Sequence, residues 1–200
     1  MRNGKSTKDK LLIEAFKLFT SKPYDRVTFA DLEQVTRLSR GAILYHVKTK
    51  EKLFLSVVEK FIFEINSISS ISKSPQSSLK LVLTHFIESC QKEKNEMADS
   101  GISNVNNAML NIIISAFFSL PEMRKFAFDW ISQEKATWVS ILEKAKIQKE
   151  IRNDIDVELY ASLFENIFLG SYLGGIAYTD GYKIDQMERE FMLIYQLIKI

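Results

Sequence analysis

Between positions 39 and 50 the sequence gathers Ser39, Arg40, Gly41, Tyr45, His46, Lys48, Thr49 and Lys50, with Thr28 a short way upstream. Guanidinium, ammonium, imidazole and hydroxyl groups all donate hydrogen bonds, and several carry positive charge. That chemistry suits a phosphate backbone and the acceptor-rich edges of bases. Arg40 is the first candidate for a base reader, since a guanidinium can address guanine O6 and N7 together, worth about 1–3 kcal/mol of discrimination. Gly41 lets a helix start approach a groove closely. Thr28 at one helix N-terminus, and Thr49 with Lys50 at another, place backbone N–H groups and a positive charge where a phosphate could bind.

Charge along the chain agrees. The 200 residues carry a net charge of only +2. Residues 1–60 nevertheless hold 13 Lys and Arg against 7 Asp and Glu, whereas residues 61–200 hold 14 against 18. A small polyanion-binding module joined to a near-neutral body would show this split.

Short helices must position these groups. A capping-box-like Ser6-x-x-Asp9 predicts a first helix to about Ser21, with Leu12, Ala15, Phe16 and Phe19 on one stripe. Pro23 ends it. Thr28 and Asp31 form a second capping box, opening a short helix in which Phe29, Leu32 and Val35 share a face. Ser39 caps a third helix, Arg40 to about Val47, whose Ile43 and Val47 face inward. Thr49 caps a fourth, with Leu53, Val57, Phe61 and Ile65 as its stripe. Three short amphipathic helices, the last two joined by a tight turn, describe a helix-turn-helix unit.

The stretch TFADLEQVTRLSRGAILYHVKTKEKLF, Thr28 to Phe54, resembles the DNA-binding domain of the TetR family of transcriptional regulators. Ser39-Arg40-Gly41-Ala42, His46 and Lys48-Thr49-Lys50-Glu51-x-Leu53 match that pattern, and the likeness extends over residues 6–56. It implies phosphate or base contacts for Tyr45 and His46. Three positions depart from the family. Arg37 stands where a turn glycine is usual, Leu44 where a phosphate-contacting tyrosine is usual, and Val47 where a phenylalanine is usual. Leu44 lacks a hydroxyl donor that the neighbouring Tyr45 could supply.

The Ser-rich stretch from Asn66 to Ser78 predicts a helix break. Beyond it, Leu79–Lys92, Asn104–Ser119, Glu122–Lys149, Val157–Tyr178 and Ile184–Ile198 read as helices. The expectation is an all-α chain of about nine helices. Residues 1–50 form a three-helix helix-turn-helix DNA-binding domain, and residues 51–200 a larger helical-bundle regulatory domain. The helix from Val157 is apolar over more than one face, so something must cover the extra face. The resemblance implies a homodimer built on the last two helices, here Leu163, Ile167, Gly170 and Gly174 with Met187, Phe191, Ile194 and Ile198. It also implies a pocket for a small apolar effector. Phe86, Met109, Phe117, Trp130, Trp138, Phe164 and Phe168 are candidate walls, and His85, Asn111 and Tyr172 candidate polar anchors.

Other functions find little support. The sequence lacks the glycine-rich nucleotide loops and the metalloprotease and serine-hydrolase motifs, so no enzyme activity and no cofactor are expected. Two histidines and one cysteine offer little for a metal site. Asp154-x-Asp156-x-Glu158 reads as a helix cap with a first-turn acid. No run of 18 apolar residues is free of polar breaks, and Cys90 has no partner for an internal disulfide, so a cytoplasmic protein outside the membrane is expected. The residues favour a DNA-binding protein, and the resemblance implies a ligand-responsive dimeric repressor on double-stranded DNA; the alternative is a helical ligand-binding or scaffold dimer that does not recognise specific DNA.

Overall fold

The structure, a computed structural model, describes residues 2–63, 68–71 and 78–200, with the backbone alone at residues 2–6 and 70. The described residues are all-α. They form nine α-helices of at least eight residues and one of four: α1 (Arg2–Ser21), α2 (Phe29–Thr36), α3 (Arg40–Val47), α4 (Lys50–Val58), α5 (Ile68–Ile71), α6 (Leu79–Asp99), α7 (Val105–Ser119), α8 (Met123–Ile147), α9 (Val157–Gly174) and α10 (Ile184–Ile198), with short 3-10 turns at Tyr24–Arg26 and Gly175–Ala177 and a π turn at Glu59–Phe63 continuing α4. By mutual contact the chain separates into two compact units, Met1–Ile65 with Asn107–Lys125, and Asn66–Asn106 with Phe126–Ile200.

In the first unit α1 begins upstream of the expected Ser6 start, so Ser6 lies inside the helix. No proline among residues 2–5 interrupts the ladder there. Leu11, Leu12, Ala15, Phe16, Leu18 and Phe19 of α1 are buried, as are Leu32 of α2, Ile43 and Val47 of α3, and Leu53, Phe54, Val57 and Val58 of α4; α1 packs on α2 and α4, and α3 on α2 and α4. Phe16 stacks on Phe61 at 4.3 Å between ring centroids, and Phe19 tilts against Phe54 at 4.7 Å. These contacts bind the fourth helix to the first three, so the compact unit runs past residue 50. Val35, expected on the inward stripe of α2, is 37% exposed. The helix has only two turns and its inward face is spent on Leu32 and Thr36. Ile65, expected on the α4 stripe, lies outside the described residues, as does most of the Ser-rich stretch. Ile68–Ile71 within that stretch is a helical turn.

In the second unit α6 runs on to Asp99, beyond the expected end at Lys92. The Gln91–Asn95 and Lys92–Glu96 pairs, each one turn apart, support the extension. It stops where Gly101 takes φ +86°, with Ile102 N–H donating to the Met97 carbonyl at 2.9 Å and Gly101 N–H to that of Ala98 at 2.9 Å. This is a Schellman ending, which needs a residue tolerant of positive φ. Glu150 accepts from the Leu79 and Lys80 N–H groups at 2.6 and 3.0 Å and from the Tyr195 hydroxyl at 3.2 Å, tying the start of α6 to α10. Helix α9 ends at Gly174, short of the expected Tyr178, and passes into a 3-10 turn over Gly175–Ala177. Asn104 and Asn106 hold this turn. Asn104 Nδ2 donates to the Gly175 and Tyr178 carbonyls at 3.2 and 2.5 Å, while Asn106 Oδ1 accepts from Tyr182 N–H at 2.8 Å.

Candidate nucleic-acid interface

Helix α3 is rooted on one side and free on the other. Ile43 and Val47, four residues apart, are buried, while Arg40, Gly41, Tyr45 and Lys48 are exposed, Tyr45 by 76%. Ser39 starts the helix by accepting from Ala42 N–H at 3.3 Å. The spacing that buries Ile43 and Val47 therefore turns the cationic and aromatic side chains outward. Lys48 Nζ lies 5.9 Å from the Tyr45 ring centroid, and the half-buried His46 ring meets Tyr45 edge-on at 5.3 Å. Tyr45 thus presents a phenol beside a cation on the face where Leu44, half-buried, supplies no hydroxyl.

The turn before α3 is made without glycine. Arg37 adopts φ 60°, ψ 22°, the left-handed region, and its N–H donates to the Glu33 carbonyl at 3.0 Å. The positive φ expected of a turn glycine is present, carried by an arginine at a modest steric cost. Lys48 likewise ends α3 at φ 64°.

Thr28 and Thr49 are exposed caps. Thr28 Oγ1 accepts from Asp31 N–H at 3.2 Å, and Asp31 Oδ2 accepts from Thr28 N–H at 2.9 Å, closing the expected capping box. Lys22 Nζ reaches Asp31 Oδ1 at 2.7 Å. That ammonium, then the Thr28 backbone and hydroxyl donors, holds the Asp31 carboxyl down at about 2. Thr49 Oγ1 accepts from Lys52 N–H at 3.0 Å. Lys50 is turned inward. Its ammonium donates to the Tyr24 and Val27 carbonyls at 3.1 Å each and sits 4.3 Å from the Tyr24 ring centroid. Two of its three N–H donors are committed to bracing the 24–27 turn, which removes it from the front rank of phosphate contacts.

Two residues outside the binding candidates complete the surface: Glu33, and Phe29, which the sequence offered only as part of the apolar face of α2. Glu33 Oε1 accepts from Arg40 N–H at 2.6 Å, and the Arg40 guanidinium lies 5.0 Å from the Phe29 ring centroid. Phe29 and Glu33 are four apart on α2, a spacing visible in the sequence; that their face meets the start of α3 is not.

The effector and dimer candidates separate. Phe86, Trp138, Phe164 and Phe168 form one aromatic cluster in the second unit with Phe191: Phe86–Phe168 centroids lie 5.2 Å apart, and Trp138 stacks on Phe164 at 5.1 Å. Tyr172 joins it through Phe168 at 5.5 Å, and burial raises its phenol well above the ordinary range. His85 is exposed on α6 and does not face that cluster's interior. Met109, Asn111 and Phe117 belong to the first unit, where Asn111 Nδ2 donates to the Thr20 carbonyl at 3.2 Å and Phe117 is 40% exposed. Trp130 is half-buried on α8. Residue type offered these side chains as walls and polar anchors of one pocket without revealing which helix each one faces.

Of the dimer candidates, Met187, Phe191 and Ile198 are fully buried in their own subunit and so are not on a face open to a partner. Leu163, Ile167 and Ile194 are half-buried, and Gly170 and Gly174 are exposed. Leu159 and Leu173 of α9 and Leu193 and Leu197 of α10, each more than half exposed, complete that outward face. A groove of about 240 Å³ between the two helices is lined by Ile167, Gly170 and Gly174 with Gln186 and Glu190. No described helix is long and apolar enough to cross a membrane.

Residues 11–57 match the family described as bacterial regulatory proteins, tetR family. The chain is 39% identical over 51 residues to the HTH-type transcriptional regulator QacR of Staphylococcus aureus, covering 26% of this chain and 27% of that protein. It is 30% identical over 93 residues to YuxN, an uncharacterised HTH-type transcriptional regulator of Bacillus subtilis, covering 44% of this chain and 32% of that protein. The matched stretches thus span about a third or less of these relatives' length. A TetR-family transcriptional regulator from Agrobacterium tumefaciens superposes with a TM-score of 0.68 at 18% identity, covering 98% of this chain and 100% of that one. Sequence likeness places residues 11–57 with the DNA-binding domain of the tetR family, and the fold of the whole chain is similar to that of a solved TetR-family regulator.

Proposed function

We propose that the chain is a cytoplasmic, ligand-responsive transcriptional repressor that binds a pseudo-palindromic site in double-stranded DNA as a homodimer. The observation that carries this reading is helix α3, anchored by Ile43 and Val47, with Arg40, Gly41, Tyr45 and Lys48 on its open face. Arg40 stands in the first turn, where a helix entering the major groove meets base edges, and Lys48 with Tyr45 stands where flanking phosphates would lie. A second copy, joined through the outward faces of α9 and α10, would supply a second recognition helix. A dimer seated on its site excludes other proteins from it, which is repression in its simplest form. The aromatic cluster around Phe86, Trp138, Phe164 and Phe168 offers a small apolar effector the contacts it needs, once the rings part to admit it.

Selection of duplexes from a random library by the purified protein tests the DNA reading. A motif with two half-sites should be enriched, binding should fall steeply between roughly 50 and 200 mM salt, and Arg40→Ala should cost about 5- to 150-fold in discrimination. Sequence-blind association with no enriched motif refutes the regulator reading in favour of a helical scaffold dimer.

A further inference from the structure

We infer that Glu33 is a positioning residue for DNA discrimination: from α2 it fixes the register of Arg40 at the start of the recognition helix while its charge restrains indiscriminate phosphate binding. The inference rests on the DNA-binding reading above and deepens it at the same surface.

Glu33 Oε1 accepts the Arg40 backbone N–H at 2.6 Å, and Phe29, one turn earlier on α2, carries the Arg40 guanidinium 5.0 Å from its ring centroid. One face of α2 therefore holds both the main chain and the side chain of the residue placed to read a base. The N-terminal N–H groups of a helix ordinarily remain available to a phosphate. Here the Arg40 N–H is already taken by a carboxylate, and that of Ala42 by Ser39 Oγ. Glu33 also brings a negative charge to the surface that would face the DNA. An acid placed there disfavours every phosphate, whatever the sequence, so its retention costs affinity. It is compensated where the hydrogen bond it makes sets the angle from which Arg40 meets its base. A bidentate guanidinium contact has demanding geometry, so a small rotation of the helix start is felt in discrimination before it is felt in sequence-blind affinity. The carboxylate oxygen and the charge are separable by substitution. Glutamine keeps an oxygen acceptor and loses the charge; alanine loses both.

The test compares wild-type protein, Glu33→Gln and Glu33→Ala on two duplexes, the one enriched in the selection and a scrambled one of the same composition, with the melting temperature of each protein recorded. Glu33→Ala is expected to lower the ratio of the two affinities about tenfold, and Glu33→Gln to hold it within about twofold of wild type. Both are expected to bind the scrambled duplex about two- to threefold more tightly at low salt, and the gain to fade as salt is added. The inference is overturned if Glu33→Ala leaves the ratio unchanged, if Glu33→Gln loses as much discrimination as Glu33→Ala, or if both affinities fall together with the melting temperature. If wild-type protein does not distinguish the two duplexes, the regulator reading itself falls, a different outcome from wild-type discrimination that survives Glu33→Ala.

Discussion

Replacing Gly175 by alanine puts the packing of the second unit to a direct test. A Cβ at this position would lie 2.5 Å from Asn106 Oδ1, 2.5 Å from the Tyr182 backbone nitrogen and 2.6 Å from Asn106 Cγ. Its backbone φ is −58°, so the penalty is one of space alone. Asn106 is 1% exposed and Tyr182 fully buried, and the hydrogen bond between them is 2.8 Å long. Moving Asn106 aside would strand the Tyr182 N–H, a buried donor whose loss costs about 1–3 kcal/mol. Forcing the backbone apart instead costs about 1–3 kcal/mol of overpacking. These penalties are alternatives in part, so about 3 kcal/mol is expected, a fall of about 6–12 °C in the melting temperature for a chain of this size. Circular dichroism on heating, repeated in urea, would measure it. Gly41→Ala is the control: its Cβ would meet nothing nearer than Ser39 Oγ at 4.0 Å. Removing a helical glycine there should stabilise by about 0.5–1 kcal/mol. A Gly175→Ala protein that melts within about 2 °C of wild type would show that the Asn106–Tyr182 contact does not govern this unit's stability.

Four further outcomes are expected. The Asp31 carboxyl is held at about 2 against an ordinary 3.8, so its stabilisation of the folded state is complete above the ordinary value and is lost as pH falls through about 2; an NMR titration that places Asp31 near 4 would contradict the Lys22 and Thr28 contacts. Arg37→Gly relieves a left-handed residue and should raise stability by up to about 1 kcal/mol, whereas Arg37→Val should lose about 1–2 kcal/mol; equal melting temperatures for the two variants would argue against the left-handed turn. Trp138→Ala opens the aromatic cluster and should cost about 3–5 kcal/mol in urea unfolding; a loss under about 1 kcal/mol would mean the rings do not form a close-packed core. The double substitution Leu193→Glu, Leu197→Glu should leave helix content unchanged and, by sedimentation, yield monomers that bind the selected duplex weakly; a variant that stays dimeric would rule out this face of α10 as the interface.

Much of the first unit was legible in the sequence because its signals are local. A cap at Thr28, Ser39 or Thr49 is a side chain bonding to a backbone N–H three residues on, and all three form as the spacing requires. The inward placement of Ile43 and Val47 follows from helical geometry alone, and that fixes which residues of α3 face out. At Arg37 the sequence showed only that the usual turn glycine is absent, which left open whether the turn avoids a positive φ or bears its cost; the structure has φ 60° there.

What the linear chain could not supply is which faces meet. Lys50 looked like a free cation and proved to be a brace, because the Tyr24 and Val27 carbonyls come to it only after folding. Met187, Phe191 and Ile198 read as one stripe of α10, and only packing showed that this stripe is spent inside the subunit while Leu193 and Leu197 point outward. Glu33 is an ordinary helical acid until α2 and α3 cross and bring it to the Arg40 N–H. Periodicity and capping are written within a few residues of one another, so the sequence by itself determined where most helices lie, though not all of their ends, and the outward face of α3. Contacts between helices depend on crossing geometry and on the close packing of many side chains at once, and those only the tertiary structure decided.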